Sequence, residues 1–146
     1  MKTDRKILNM EELDRLTYTI NGLAMKIHNT LGNGFQELIY QRCLAIELDR
    51  ANIEYVREKE QDIFYGDIRV GTRRADFVVN DQIIIELKAQ INLEDAHLAQ
   101  AKNYVVAYDF PVGLLINFGA ASLQVRKVFN PKFFPDFKKK PEKTGR

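Results

Sequence analysis

Cysteine, histidine and proline are scarce in this sequence of 146 residues, which has one cysteine, two histidines and four prolines. Cys43 has no internal partner, so a disulfide framework is excluded. No Cys/His spacing fits a zinc ribbon or an iron–sulfur cluster, and His28 and His97 are too far apart to suggest a zinc centre. A reducing, cytoplasmic setting is the expectation. Long apolar runs are missing too: none approaches the roughly 18 consecutive apolar residues of a membrane span. Residues Met1–Lys6 lead into no apolar segment of an export signal, so neither membrane association nor secretion is expected.

What is present is ordinary globular composition, with 45% hydrophobic and 29% charged residues. The length suits one domain able to bury its own core. Net charge is only +2, but it is unevenly spread. From Lys132 to Arg146 six basic residues stand against Asp136 and Glu142, a local +4 that leaves −2 for the rest. Such a tail can meet phosphates, although a proline-broken terminus is often simply solvated. Three of the four prolines, Pro131, Pro135 and Pro141, fall there. The expected layout is an N-terminal arm over 1–10, a domain over 11–130 and a basic tail over 131–146.

Leu13, Leu16, Ile20, Leu23, Ala24, Ile27 and Leu31 recur at helical spacing, predicting a helix over 11–31 that Gly32-Asn33-Gly34 stops. A second helix is predicted over 35–51, with Phe35, Leu38, Ile39, Cys43 and Ile46 buried. The pattern then changes to strands. A long, half-exposed strand over 53–65 reads as a sheet edge, and Gly66-Asp67 turns it. After a short piece over 68–70 and Gly71 comes a strand over 74–79, a turn at Asn80-Asp81, and a strongly apolar, central strand over 82–88. A third helix over 93–109 leads to an apolar strand over 112–118, which the helical crossover makes parallel to the strand at 82–88. A final strand is predicted over 123–129.

The strand Ile83-Ile-Ile-Glu86-Leu-Lys88 places two charges in a segment apolar enough to be buried, which is costly unless they are paired or bound to a metal. An isolated Glu-x-Lys is usually an ion pair at an exposed strand end. Here, however, Asp76 interrupts the preceding apolar strand. Two carboxylates on neighbouring strands can hold a hard divalent cation. A lysine two residues beyond the glutamate faces the same side and can assist a water or offset phosphate charge. For Asp76 to stand opposite Glu86, the turn must have three residues, Asn80-Asp81-Gln82, or a bulge must lie near Asp76; a two-residue turn would put the carboxylates on opposite faces. The expectation is that Asp76, Glu86 and Lys88 share one sheet face, with Glu37 and Gln100 approaching from helices that cover it.

Asp76 followed by Glu86-Leu87-Lys88 resembles the Asp…(Asp/Glu)-x-Lys motif of the PD-(D/E)xK nuclease superfamily, with Ala75 in place of the motif's proline. Gln100-Ala-Lys-Asn-Tyr104 resembles the Gln-x-x-x-Tyr helix of its recombination-exonuclease branch, and places Gln100 and Tyr104 on one helical face. Gly34-Phe-Gln-Glu37-Leu-Ile-Tyr40 is similar to the Gly-x-x-Glu-x-x-Tyr signature of a small prokaryotic family in this superfamily. The segment Gly113-Leu-Leu-Ile-Asn-Phe-Gly extends the match.

The resemblance implies a restriction-endonuclease-like α/β fold, with a mixed central sheet (an antiparallel meander plus a parallel crossover strand) flanked by helices. It implies a Mg²⁺- or Mn²⁺-dependent nuclease acting on nucleic acid, DNA ahead of RNA. Asp76, Glu86 and the Leu87 carbonyl would hold the metal, Lys88 would assist the water, and Gln100 and Tyr104 would orient the site. Glu37 is a third acidic candidate; alone, it would be read as a helix-capping residue at the third helical position. Tyr40 reads as core packing. Arg73, Arg74 and Arg126 are weaker candidates for phosphate contact. The alternative is a catalytically silent nucleic-acid-binding module in a DNA-processing or defence assembly, and a homodimer or larger assembly is left open.

Overall fold

The computed structural model describes residues 5–134. The expectation of a solvated basic tail falls largely on 135–146, outside the described residues. Eight elements follow in order: α1 (Met10–Leu31), α2 (Glu37–Arg50), β1 (Tyr55–Tyr65), β2 (Ile68–Val79), β3 (Ile83–Lys88), α3 (Asp95–Ala107), β4 (Val112–Asn117) and β5 (Gln124–Phe129). The strands form one five-stranded sheet in the order β1-β2-β3-β4-β5. Only β3 and β4 run parallel, joined through α3; the other pairs are antiparallel. This is the mixed sheet with a crossover that the sequence predicts.

Helix α1 starts where Asn9 accepts the Glu12 N–H at 2.8 Å and Glu12 accepts the Asn9 N–H at 3.0 Å, a reciprocal cap. It ends at Gly32, whose φ of +78° favours glycine. Helices α1 and α2 cover one face of the sheet, where Leu13, Ile20, Leu44 and Leu48 meet Phe77, Ile83, Ile85, Leu87, Leu114 and Ile116. Helix α3 covers the other face, packing Ala101 and Val105 on Val78, Ile84, Leu115 and Val128. Gly113 permits this close approach, because a Cβ there would lie 2.6 Å from the Val105 side chain.

Two sequence expectations need correction. The buried face of α2 is Tyr40, Leu44 and Leu48, at spacing of four, whereas Phe35, Leu38 and Ile46 are nearly half exposed. Apolar residues occur on both sides of this helix, and its buried side also carries Gln41 and Glu47, so polarity does not mark the solvent side. The strand expected at 74–79 instead runs unbroken from Ile68 through Gly71, because β1 pairs with its full length. Tyr40 does pack in the core: its ring stacks on Phe118 with centroids 4.6 Å apart. Its hydroxyl donates to the Gly32 carbonyl and accepts the Phe35 N–H at 3.2 Å, tying down the turn between α1 and α2.

Candidate active site

The site lies at the middle of the sheet, where the β2–β3 pairing ends. The turn at its far end sets the register. Asn80 and Asp81 take left-handed conformations, at φ 52° and 54°, which their short polar side chains tolerate. Gln82 is the third loop residue; its N–H donates to the Val79 carbonyl at 2.9 Å, and its side chain is held by Lys6 and Leu8 of the N-terminal arm. The strands therefore pair Val79 with Ile83, Val78 with Ile84 and Phe77 with Ile85. One step further along this register brings Asp76 opposite Glu86, as a three-residue loop requires.

The regular ladder stops there. Between the paired Arg57–Phe77 and Lys59–Ala75, the pair Glu58 and Asp76 is missing, and Glu58 has φ 51°. Ala75 packs with the α3 layer and Phe77 with the α1/α2 layer, so the strand twists over at Asp76. The Asp76 carboxylate consequently accepts the Leu87 N–H at 2.7 Å, and its other oxygen accepts from Gln41 of α2 at 3.3 Å. Backbone groups alternate along a strand, and Lys88 gives its carbonyl to Phe118 on the β4 side. The Leu87 N–H and carbonyl therefore both face β2 and Asp76.

Glu86 lies on the α3 face and is 7% exposed. One carboxylate oxygen accepts from Arg73 at 3.1 Å; the other is buried without a hydrogen-bond partner. Burial and the neighbouring Asp76 carboxylate push its pKa from 4.5 up to about 7, against the opposing pull of Arg73 and Lys88. Burial likewise raises the pKa of Asp76. Arg73 lies over the Tyr104 ring, 4.4 Å from its centroid, and its Nε is also buried without a partner. Burial opposes the Arg73 charge, but Glu86 and Tyr104 outweigh it and hold its pKa above the ordinary value.

Lys88 follows on the α3 side. Its ammonium has no hydrogen-bond partner among the described residues, yet its charge acts on both carboxylates. Arg73, Glu86, Lys88, His97, Gln100 and Tyr104 close over a gap too small to admit a water molecule. His97 also accepts the Glu94 N–H at 3.0 Å in the α3 N-terminal cap.

The segment after Lys88 is fixed by Asn117, which is fully buried and fully satisfied. Its oxygen accepts the Gln90 and Gly119 N–H groups, at 2.8 and 3.1 Å, and its nitrogen donates to the Gln90 carbonyl and to Gln124, at 2.9 and 2.8 Å. Gly119 crosses so near that a Cβ would lie 2.4 Å from the Ala89–Gln90 backbone.

The structure thus brings together Asp76, Glu86, Leu87, Lys88, Gln100 and Tyr104, with Arg73 more central than its sequence ranking. Glu37 is placed differently from the expectation. It is the first residue of α2, not the third, and is exposed, with no hydrogen-bond or ion-pair partner among the described residues. It also belongs to the layer opposite Gln100. The α2 side chain that reaches the site is Gln41, one turn later, which the sequence reading did not name; no local signal marks it, because its partners Asp76 and Arg57 lie on other elements. Arg74 is exposed and pairs with Glu58 at 3.5 Å, while Arg126 lines a separate groove with Lys102 and Lys127 between α3 and β5.

Among the described residues, no three His, Cys, Asp or Glu side chains are grouped to hold an ion. The available donor set is two carboxylates and a backbone carbonyl, all hard oxygens, with one Glu86 oxygen still unsatisfied. This fits a divalent cation that draws its remaining ligands from water or substrate.

A mixed sheet with helices on both faces and an Asp, Glu and Lys converging where two central strands part defines a restriction-endonuclease-like α/β protein. The model of the PD-(D/E)XK nuclease superfamily matches residues 14–128, and the chain belongs to that superfamily. A search of curated proteins gave no match. Among solved structures, the crystal structure of SSO0001 is similar in fold, at 17% identity and a TM-score of 0.52. That alignment covers 80% of this chain and 61% of the other, so this chain spans about three fifths of its length.

Proposed function

We propose that this protein is a Mg²⁺- or Mn²⁺-dependent nuclease that hydrolyses phosphodiester bonds of nucleic acid, DNA ahead of RNA, in the cytoplasm. The observation that carries this reading is the placement of the Asp76 carboxylate on the Leu87 N–H, beside Glu86 and Lys88. Asp76, Glu86 and the Leu87 carbonyl would hold the ion, which when bound would polarise a phosphoryl oxygen and acidify a water. The Lys88 ammonium, without a hydrogen bond among the described residues, would assist the attacking water or offset charge on the phosphoryl oxygens. Gln100 and Tyr104 orient the α3 side of the site.

Glu37 stands one helical turn before Gln41 on the same side of α2, and contributes outer negative charge in this reading rather than a ligating oxygen. The Gly-x-x-Glu-x-x-Tyr branch of the superfamily is the proposed affiliation, supported by Gly34, Glu37 and Tyr40 and by the tight fit of Gly113 and Gly119.

A second reading, a silent nucleic-acid-binding module, draws support from the closed gap around the Arg73–Glu86 pair. The deciding experiment incubates the protein with single- and double-stranded DNA and RNA in Mg²⁺, Mn²⁺ or chelator. Metal-dependent cleavage supports the nuclease. Nucleic-acid binding without cleavage under any condition supports the silent module instead.

A further inference from the structure

The four charged groups at the site are already balanced: Asp76 and Glu86 against Arg73 and Lys88. The balance is local as well as formal, because Arg73 occupies one oxygen of Glu86 at 3.1 Å and has its guanidinium over Tyr104. The gap these residues enclose has no spare room. The pair is nevertheless incompletely satisfied. Glu86 retains a buried oxygen and Arg73 a buried Nε without partners, and leaving buried polar groups unmet is costly.

We propose that Arg73 is a built-in counter-cation that weakens the hold of the acidic pair on a divalent ion alone, so that the ion and a substrate phosphate bind cooperatively. This inference rests on the metal-dependent nuclease reading of the same site. A divalent ion entering the balanced cluster would bring two uncompensated positive charges into a buried place. A phosphodiester brings the opposing negative charge and gives the freed Arg73 a bidentate partner, the geometry a guanidinium fork matches best. With no phosphate present, Arg73 and the ion compete for Glu86. Tyr104 supports this role by holding the guanidinium against its ring face, where it remains charged and close to Glu86.

The test is titration of the wild type, Arg73→Gln and Arg73→Lys with Mg²⁺ alone, all three at pH 9. Binding is read from NMR shifts at Leu87 and from thermal stabilisation. The counter-cation role predicts that Arg73→Gln binds Mg²⁺ about tenfold more tightly than the wild type, a difference of ~1.4 kcal/mol. Arg73→Lys, which keeps the charge but loses the stacked guanidinium, should fall between the wild type and Arg73→Gln. The wild-type Arg73 Nε–H resonance, a readout independent of any variant's folding, should move as Mg²⁺ saturates. Equal affinities for the wild type and Arg73→Gln, with Mg²⁺ bound by both and the Nε–H resonance unmoved, would overturn the proposal while leaving the nuclease reading intact. Absence of Mg²⁺ binding by all three proteins would overturn the proposal, and absence of metal-dependent cleavage as well would overturn the nuclease reading with it.

Discussion

The Asp76 carboxylate accepts the Leu87 N–H at 2.7 Å, occupying a ladder position that a backbone carbonyl of β2 would otherwise fill. This contact links the parting of the two central strands to the site. Where β2 turns away at Asp76, the side chain replaces the lost backbone partner, and the Leu87 carbonyl beside it is directed at the same space. A carboxylate in this position has a structural role and a chemical one, and the two separate experimentally.

Asp76→Asn keeps an oxygen that can accept from Leu87 but removes the charge. The fold should persist, with cooperative melting and unchanged circular dichroism, while stabilisation by Mn²⁺ disappears. The same loss is expected for Glu86→Gln. Calorimetry showing the wild type and both variants binding Mn²⁺ equally would rule out the proposed metal site.

Glu86 predicts an unusual pH dependence of stability in the metal-free protein. Its pKa is 4.5 ordinarily and about 7 in the fold, so between those values the folded state binds more protons than the unfolded. Its contribution is fully present below pH 4.5 and is lost as pH rises through about 7, with an overall span on the order of 3 kcal/mol. Raising the pH from 5 to 8 should therefore destabilise the wild type more than Glu86→Gln, which has no such proton to lose. Parallel stability curves for the two proteins over that range, measured by denaturant unfolding, would contradict the burial argument.

Asn117 tests whether Lys88 depends on the segment that follows it. Its four hydrogen bonds hold Gln90, Gly119 and Gln124, and the β3–β4 register places it beside Lys88. Asn117→Ala should lower stability by about 2–4 kcal/mol and reduce any turnover more than nucleic-acid affinity. Gly119→Ala should do likewise, since its methyl would overlap the Ala89–Gln90 backbone. Wild-type stability for both variants, measured by thermal and denaturant melts, would show that this crossing is looser than the contacts indicate.

The fold was legible in the sequence wherever periodicity and turn chemistry agreed. The run Ile83 to Leu87, apolar but for Glu86, reads as a central strand, and the length of the crossover to Val112 required a parallel partner. The register was legible only through chemistry. Asn80-Asp81 by itself suggests a two-residue turn; the need to place Asp76 opposite Glu86 requires Gln82 as a third loop residue, and the arm residues Lys6 and Leu8 that hold Gln82 lie more than 70 positions away. The face of α2 was not legible, because Gln41 and Glu47 are buried by partners in other elements, Arg57 and Lys26, that no local pattern reveals. The importance of Arg73 was hidden for the same reason, since its value comes from Glu86 and Tyr104 on separate elements.

Helix α2 offers two polar residues to the site, and they should behave differently. Gln41 is buried, accepting from Arg57 at 2.5 Å and donating to Asp76, whereas Glu37, four residues earlier, is exposed. Gln41→Ala leaves the Arg57 guanidinium short of an acceptor and Asp76 short of a donor, so stability should fall by about 1–3 kcal/mol. Because Asp76 is also less firmly aimed, Mg²⁺ affinity should fall with it. Glu37→Ala removes an exposed side chain and should change stability by no more than about 0.5 kcal/mol, with Mg²⁺ affinity altered less than about threefold. Paired melts and Mg²⁺ titrations of the two variants decide the matter. Should Glu37→Ala abolish Mg²⁺ binding while Gln41→Ala retains it, α2 would be supplying Glu37 as a third ligand, as the Gly-x-x-Glu-x-x-Tyr resemblance implies. The first turn of α2 would then have to shift toward β3 when the ion binds.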